Sequence, residues 1–167
     1  TIRADGGYTT GTYPGGGGRV AVAVTNADAR VSAFGGAISA YGGVAGSSGT
    51  QPLSAAGTLY LRDGGEGETA GTLLVDNGGA TAAGGAAEIA GGVTEADVGN
   101  VIVTNGGALN IRAGQTLTVR GNWVNADCLV TGELGSGDVG HGTVAFAGAD
   151  SVSRISGTNT FAGFTCA

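Results

Sequence analysis

Gly57-Thr-Leu-Tyr-Leu61, Gly71-Thr-Leu-Leu-Val75, Gly85-Ala-Ala-Glu-Ile89 and Gly99-Asn-Val-Ile-Val103 carry one phrase four times: glycine, any residue, apolar, any residue, apolar. The four glycines stand 14 residues apart. The phrase also occurs at Gly18-Arg-Val-Ala-Val22, Gly36-Ala-Ile-Ser-Ala40 and Gly142-Thr-Val-Ala-Phe146, and one residue longer at Gly114-Gln-Thr-Leu-Thr-Val119. Apolar residues two apart fall on one face of an extended chain, so each phrase reads as a strand with one buried face. Several copies run into a turn: Arg62-Asp-Gly-Gly65, Asp76-Asn-Gly-Gly79 and Thr104-Asn-Gly-Gly107. Asn-Gly, Asp-Gly and Gly-Gly pairs adopt corner conformations at little steric cost.

Short strands repeated at a fixed step allow an antiparallel meander or a chain wound in one direction with equivalent strands stacked. Like residues at equivalent positions, Leu59/Leu73/Val101 and Leu61/Val75/Val103, favour the wound form, with strands ~4.8 Å apart. The expected fold is therefore all-β, a parallel β-helix (β-solenoid) with glycine-rich corners. A full winding should take about two 14-residue units. Helix is disfavoured by glycine and by the lack of a 3.6-residue apolar stripe, and Thr94-Glu95-Ala96-Asp97 is granted one helical turn at most. Residues 1–167 form one solenoid domain, with 1–17 set apart as a strand available for exchange and a glycine-rich corner.

Glycine fills 37 of 167 positions and proline two, without the Gly-X-Y period of collagen. A hydrophobic fraction of 41% in a fixed frame argues for a packed core rather than a disordered linker. Seven basic residues, all arginine, face 13 acidic ones for a net charge of −6, which disfavours nucleic acid and anionic membranes as partners. No stretch reaches the roughly 18–20 apolar residues that span a bilayer, so membrane insertion is not expected. The two cysteines, Cys128 and Cys166, are too few for a zinc site with the lone His141. They read as one disulfide of an exported protein or as two free thiols. The lysine-free Gly/Thr/Ala/Asn composition favours the former, at the cell surface or beyond, with a signal peptide already removed.

Gly15-Gly-Gly-Gly-Arg-Val-Ala21, Ser39-Ala-Tyr-Gly-Gly43 and Ala55-Ala-Gly-Thr-Leu-Tyr-Leu-Arg-Asp63 resemble the glycine-rich modules of very large bacterial surface proteins. The tail, from Gly142-Thr-Val-Ala-Phe146 through Ile155-Ser-Gly157 to Thr160-Phe-Ala-Gly-Phe164, is similar to windings in haemagglutinin- and autotransporter-type passengers. The resemblance implies a secreted right-handed β-helix used in adhesion or as a surface fibre. It carries no catalytic residue set.

The residues offer little chemistry. No Lys-Ser/Thr follows Gly15–Gly18, so a phosphate loop fails and the run reads as a wide, flexible corner. Asp63, Glu66 and Glu68 share one loop and form a calcium candidate that lacks the spacing of known calcium repeats. Ser136, Asp138 and His141 lie too close together for a triad drawn from separate elements. A polysaccharide lyase or hydrolase needs clustered carboxylates, or a carboxylate beside arginine, and Glu88 and Arg120 stand isolated in the sequence. Thr116-Leu-Thr118 is the one Thr-x-Thr in a strand phrase, which is thin for ice binding, and Trp123 reads as a corner packing residue. No cofactor is expected.

A solenoid must cover its two ends, and no polar helix or charged, proline-bearing strand is available for the purpose. Thr1, Ile2, Arg3 and Ala4 at one end and Phe161 and Phe164 at the other form the expected assembly interface. The resulting expectation is a non-enzymatic extracellular protein that stacks head to tail with copies of itself into a surface fibre. The alternatives are a passenger segment of an adhesin that binds a glycan or cell surface, and a polysaccharide-cleaving β-helix.

Overall fold

A computed structural model describes residues 1–11, 14–46, 54–80, 85–126, 142–148, 152–157, 159, 161 and 163–166, together with the backbone of 129–131. The described residues are all-β. There is no α-helix among them, only one 3-10 turn at Val31–Ala33. None of their helices is long and apolar enough to cross a membrane.

The strands are β1 (Ile2–Arg3), β2 (Arg19–Ala23), β3 (Ile38–Ser39), β4 (Thr58–Arg62), β5 (Thr72–Asp76), β6 (Ala87–Glu88), β7 (Glu95–Val98) and β8 (Asn100–Thr104). They continue with β9 (Ala108–Asn110), β10 (Thr116–Val119), β11 (Trp123–Asn125), β12 (Leu129–Thr131), β13 (Thr143–Phe146), β14 (Ile155–Ser156) and β15 (Gly163–Cys166). Four sheets result, ordered β1-β3, β15-β13-β10-β7, β14-β11-β8-β5-β4-β2 and β12-β9-β6. From β5 onward the chain passes from the six-stranded to the three-stranded to the four-stranded sheet and back, three times over. Every ladder among these later strands is parallel.

The expected register holds for Leu73 against Val101 and Val75 against Val103, two 14-residue units apart. Later intervals vary. Val101 meets Trp123 after 22 residues, Leu117 meets Val144 after 27, and Val144 meets Phe164 after 20. Strand positions are fixed by stacking, whereas the loops between them absorb the difference in length.

One pair departs from the parallel rule, and the six-stranded sheet is therefore mixed. Strand β4 runs antiparallel to β5, with Leu59 opposite Leu74, Tyr60 opposite Leu73 and Leu61 opposite Thr72. Directly opposed residues share a face. Leu59 and Leu61 therefore lie on the side of Leu74 and Thr72, away from Leu73 and Val75, and the expected stack of Leu59 on Leu73 does not form. Val20 and Val22 of β2 join Leu59 and Leu61 on that side. Tyr60 turns toward the main core instead. The chain before β5 thus presents its larger aliphatic residues to one face of this sheet, and the chain from β5 onward to the other.

The main core is Val75, Val98, Val101, Val103, Leu109, Ile111, Leu117, Val119, Trp123, Val144 and Phe146 with alanines between them. Burial of these side chains drives folding at roughly 25 cal/mol per Å² of apolar surface. Three of the four residues granted a helical turn, Glu95, Ala96 and Asp97, belong to strand β7 instead, because Ala96 and Val98 pair with Leu117 and Val119 and so alternate into this core. Buried amides tie the corners together. Asn77 accepts from Gly42 N at 2.9 Å and donates to Ala80 O at 2.8 Å, and Gln115 accepts from Arg112 N at 3.1 Å and donates to Val93 O at 2.9 Å.

The run Gly15–Gly18 is not a wide corner. Gly43 N donates to Gly15 O at 2.8 Å, Gly17 N to Ala55 O at 2.9 Å and Gly18 N to Ala4 O at 2.6 Å. Three separate segments lie against it, and at Gly17 the approach leaves no room for a side chain: a Cβ there would sit 2.1 Å from Ala40 O.

Candidate functional site

The inward column of the core ends in the open. In parallel ladders, register partners share a face. Ile155 stands over Trp123, Phe164 over Val144 and Cys166 over Phe146. The lower member of each pair is at most 5% exposed, whereas Ile155 is 43% and Phe164 47% exposed. Phe161 packs edge-on to Trp123 at 5.2 Å between ring centroids, and Phe164 lies 5.4 Å from Phe146 and 5.7 Å from Phe161. Both expected rim aromatics therefore belong to one cluster rooted in the core. Trp123 is wholly buried within β11, and its indole N–H donates to Asn159 Oδ1 at 2.8 Å.

At the other end, the first strand folds back on its own chain. Ile2 N donates to Ala37 O at 2.8 Å and Ala4 N to Ser39 O at 2.9 Å, and Ala4 O accepts from Gly18 N. Thr1, Ile2, Arg3 and Ala4 thus lie beside β3, remote in the strand order from Phe161 and Phe164.

Cys166 carries a free, exposed thiol. Cys128, the other half of the expected disulfide, lies outside the described residues, as do Ser136, Asp138 and His141. The carboxylates of two calcium candidates, Asp63 and Glu66, are engaged elsewhere. Asp63 Oδ1 accepts from Val31 N at 2.7 Å and Asp63 Oδ2 lies 3.6 Å from Arg30 Nε, while Glu66 Oε2 accepts from Asp63 N at 2.9 Å. The Glu68 backbone carbonyl accepts the Tyr60 hydroxyl. Among the described residues, no three His, Cys, Asp or Glu side chains converge on a point that could hold a metal ion.

Glu88 and Arg120, isolated in the sequence, each gain a partner from an adjacent strand. Glu88 meets Arg112 at 2.6 Å and accepts from Asn110 Nδ2 at 3.0 Å. Arg120 holds Asp97 through its Nε, at 2.8 and 3.1 Å, and through Nη2. Hydrogen bonding to Asp97, reinforced by its charge, raises the Arg120 guanidinium above its usual range. The separations, 24 and 23 residues, lie close to the interval between paired strands. That interval was the sequence signal that could have found both pairs.

A recess of about 140 Å³ opens beside Glu88, lined by Gly16, Gly17 and Arg19, residues 55–58, and residues 86–88. Its walls come from both sides of the β4–β5 junction. Arg19 Nη2 donates to Glu88 O at 3.0 Å across it.

No family model matches the chain, and comparison with the curated proteins and with the solved structures finds no match. The resemblance to surface-protein modules rests on the motifs quoted above.

Proposed function

We propose that the chain is a length of right-handed parallel β-helix with a structural, non-enzymatic role outside the cell, stacking end to end with copies of itself into a surface fibre. The rotation of β5–β15 among three sheets through parallel, in-register ladders supports the solenoid. Its right hand follows from the strong chirality of parallel crossovers. The antiparallel β4–β5 pair then marks where the regular winding begins.

The observation that carries the functional reading is the exposed apolar rim. Ile155, Phe164 and Cys166 occupy core positions with no layer over them among the described residues. A strand added in register covers such side chains and pairs the free backbone groups of β14 and β15 at the same time. The opposite end of the strand order is formed by different strands, so end-to-end contacts between copies are heterologous, and copies stacked along one axis propagate as a filament. The secreted location rests on the lysine-free, glycine- and threonine-rich composition. Negative-stain electron microscopy of concentrated purified protein tests the reading. Filaments of uniform width are expected, and material that stays monomeric at high concentration refutes it.

A further inference from the structure

We infer that the recess at the β4–β5 junction is a binding subsite for one acidic sugar ring, a hexuronate, whose carboxylate is held by Arg19. Three observations combine. First, Arg19 forms no ion pair among the described residues, yet it is fixed in place by donating Nη2 to Glu88 O at 3.0 Å. A guanidinium carries five N–H donors in a planar fork suited to a carboxylate, and the donors on Nε and Nη1 meet no acceptor among the described residues. Second, the one carboxylate bordering the recess does not compete for Arg19. Glu88 is already engaged by Arg112 at 2.6 Å and by Asn110 at 3.0 Å. The recess is thus a locally cationic spot in a chain with a net charge of −6.

Third, the remaining walls suit a small ring. Gly16, Gly17, Ala55, Ala56 and Gly57 line it with almost no side chain, and Thr58 adds a hydroxyl. At about 140 Å³ the recess is far smaller than the roughly 300–1,000 Å³ that holds a drug-sized ligand. That leaves room for one pyranose ring. The inference does not depend on stacking, because the recess lies away from β14 and β15.

The test is titration of the full chain with D-glucuronate, D-glucose and acetate, followed by backbone amide NMR. Glucuronate is expected to shift the amides of Gly16, Gly17 and Thr58 and to bind about tenfold more tightly than either glucose or acetate. Arg19→Gln should weaken glucuronate about tenfold and leave glucose unchanged. Thr58→Val, at the position paired with Arg19 on the neighbouring strand, should weaken both sugars and serves as the test should Arg19→Gln fail to fold. Glucose binding as well as glucuronate overturns the carboxylate assignment, and acetate binding as well as glucuronate overturns the sugar. Shifts confined to other residues, or no saturable shifts at all, overturn the site. Filament formation reads out separately, so failure of one proposal is distinguishable from failure of the other.

Discussion

At Gly57, hydrogen is the only side chain the structure admits. A Cβ there would lie 1.7 Å from Gly18 O and 2.7 Å from the Gly17 carbonyl carbon, both of them backbone atoms that cannot rotate away. Gly57→Ala is therefore expected to cost about 2–3 kcal/mol in urea unfolding, since overpacking against fixed backbone forces strands apart. Gly7, where nothing lies within 4 Å, is the control, and Gly7→Ala should stay within about 0.5 kcal/mol. Equal effects at the two sites would show that the close approach is not real. Tyr41 supplies a second prediction. Burial, then the carboxylates of Asp76 and Asp5, raises its phenol above the usual range, with Arg3 opposing. Below about pH 10 the phenol is protonated whether the chain is folded or not; above it the unfolded chain loses the proton first, so stability falls as pH rises toward the folded value. Between about pH 9 and about pH 12, Tyr41→Phe should show a smaller loss of denaturation midpoint than the parent. Identical slopes would remove Tyr41 from the account.

Among the elements, the local pattern located strands well and their partners less well. Leu73 and Val75, Val101 and Val103, Leu117 and Val119, and Val144 and Phe146 all alternate into the core as a period of two demands. Leu59 and Leu61 have the same spacing, yet they face the other way, because β4 meets β5 antiparallel. Alternation states that one face of a strand is apolar; it does not state which neighbour that face joins or in which direction the strand runs. The pairing is open to a cross-linking test in a background free of Cys128 and Cys166. Opposed Cα atoms in an antiparallel pair lie about 4.5–5.5 Å apart, within reach of a disulfide. Leu59→Cys combined with Leu74→Cys should oxidise to a cross-linked form, while Leu59→Cys with Leu73→Cys, on opposite faces, should remain reduced. The reverse result would favour the parallel stack. Glu88–Arg112 and Asp97–Arg120 follow the same logic, since each joins residues a strand-to-strand interval apart that no contiguous motif connects.

For the molecule as a whole, the functional reading turns on a rim. The aromatic cluster Trp123, Phe146, Phe161 and Phe164 begins in the buried core and ends at a half-exposed ring. If assembly uses this face, a charge placed on it must be desolvated on stacking without a partner. Phe164→Asp is therefore expected to abolish filaments while the purified chain keeps its β-type circular dichroism. Filaments undiminished by Phe164→Asp would move the interface elsewhere. The free thiol of Cys166 lies on the same rim and offers an attachment point for a probe of that contact.

Glycine-bounded phrases of alternating apolar residues determined by themselves that this chain is all-β, where most of its strands lie and which side chains of β5, β8, β10 and β13 turn inward, because period and turn chemistry are local properties. The reversal at β4, the tight interleaving of Gly15–Gly18, the pairing of Glu88 with Arg112 and the recess around Arg19 were decided only in three dimensions. Each depends on which distant segments lie side by side, and loop lengths that vary between paired strands hide that from any fixed step along the sequence.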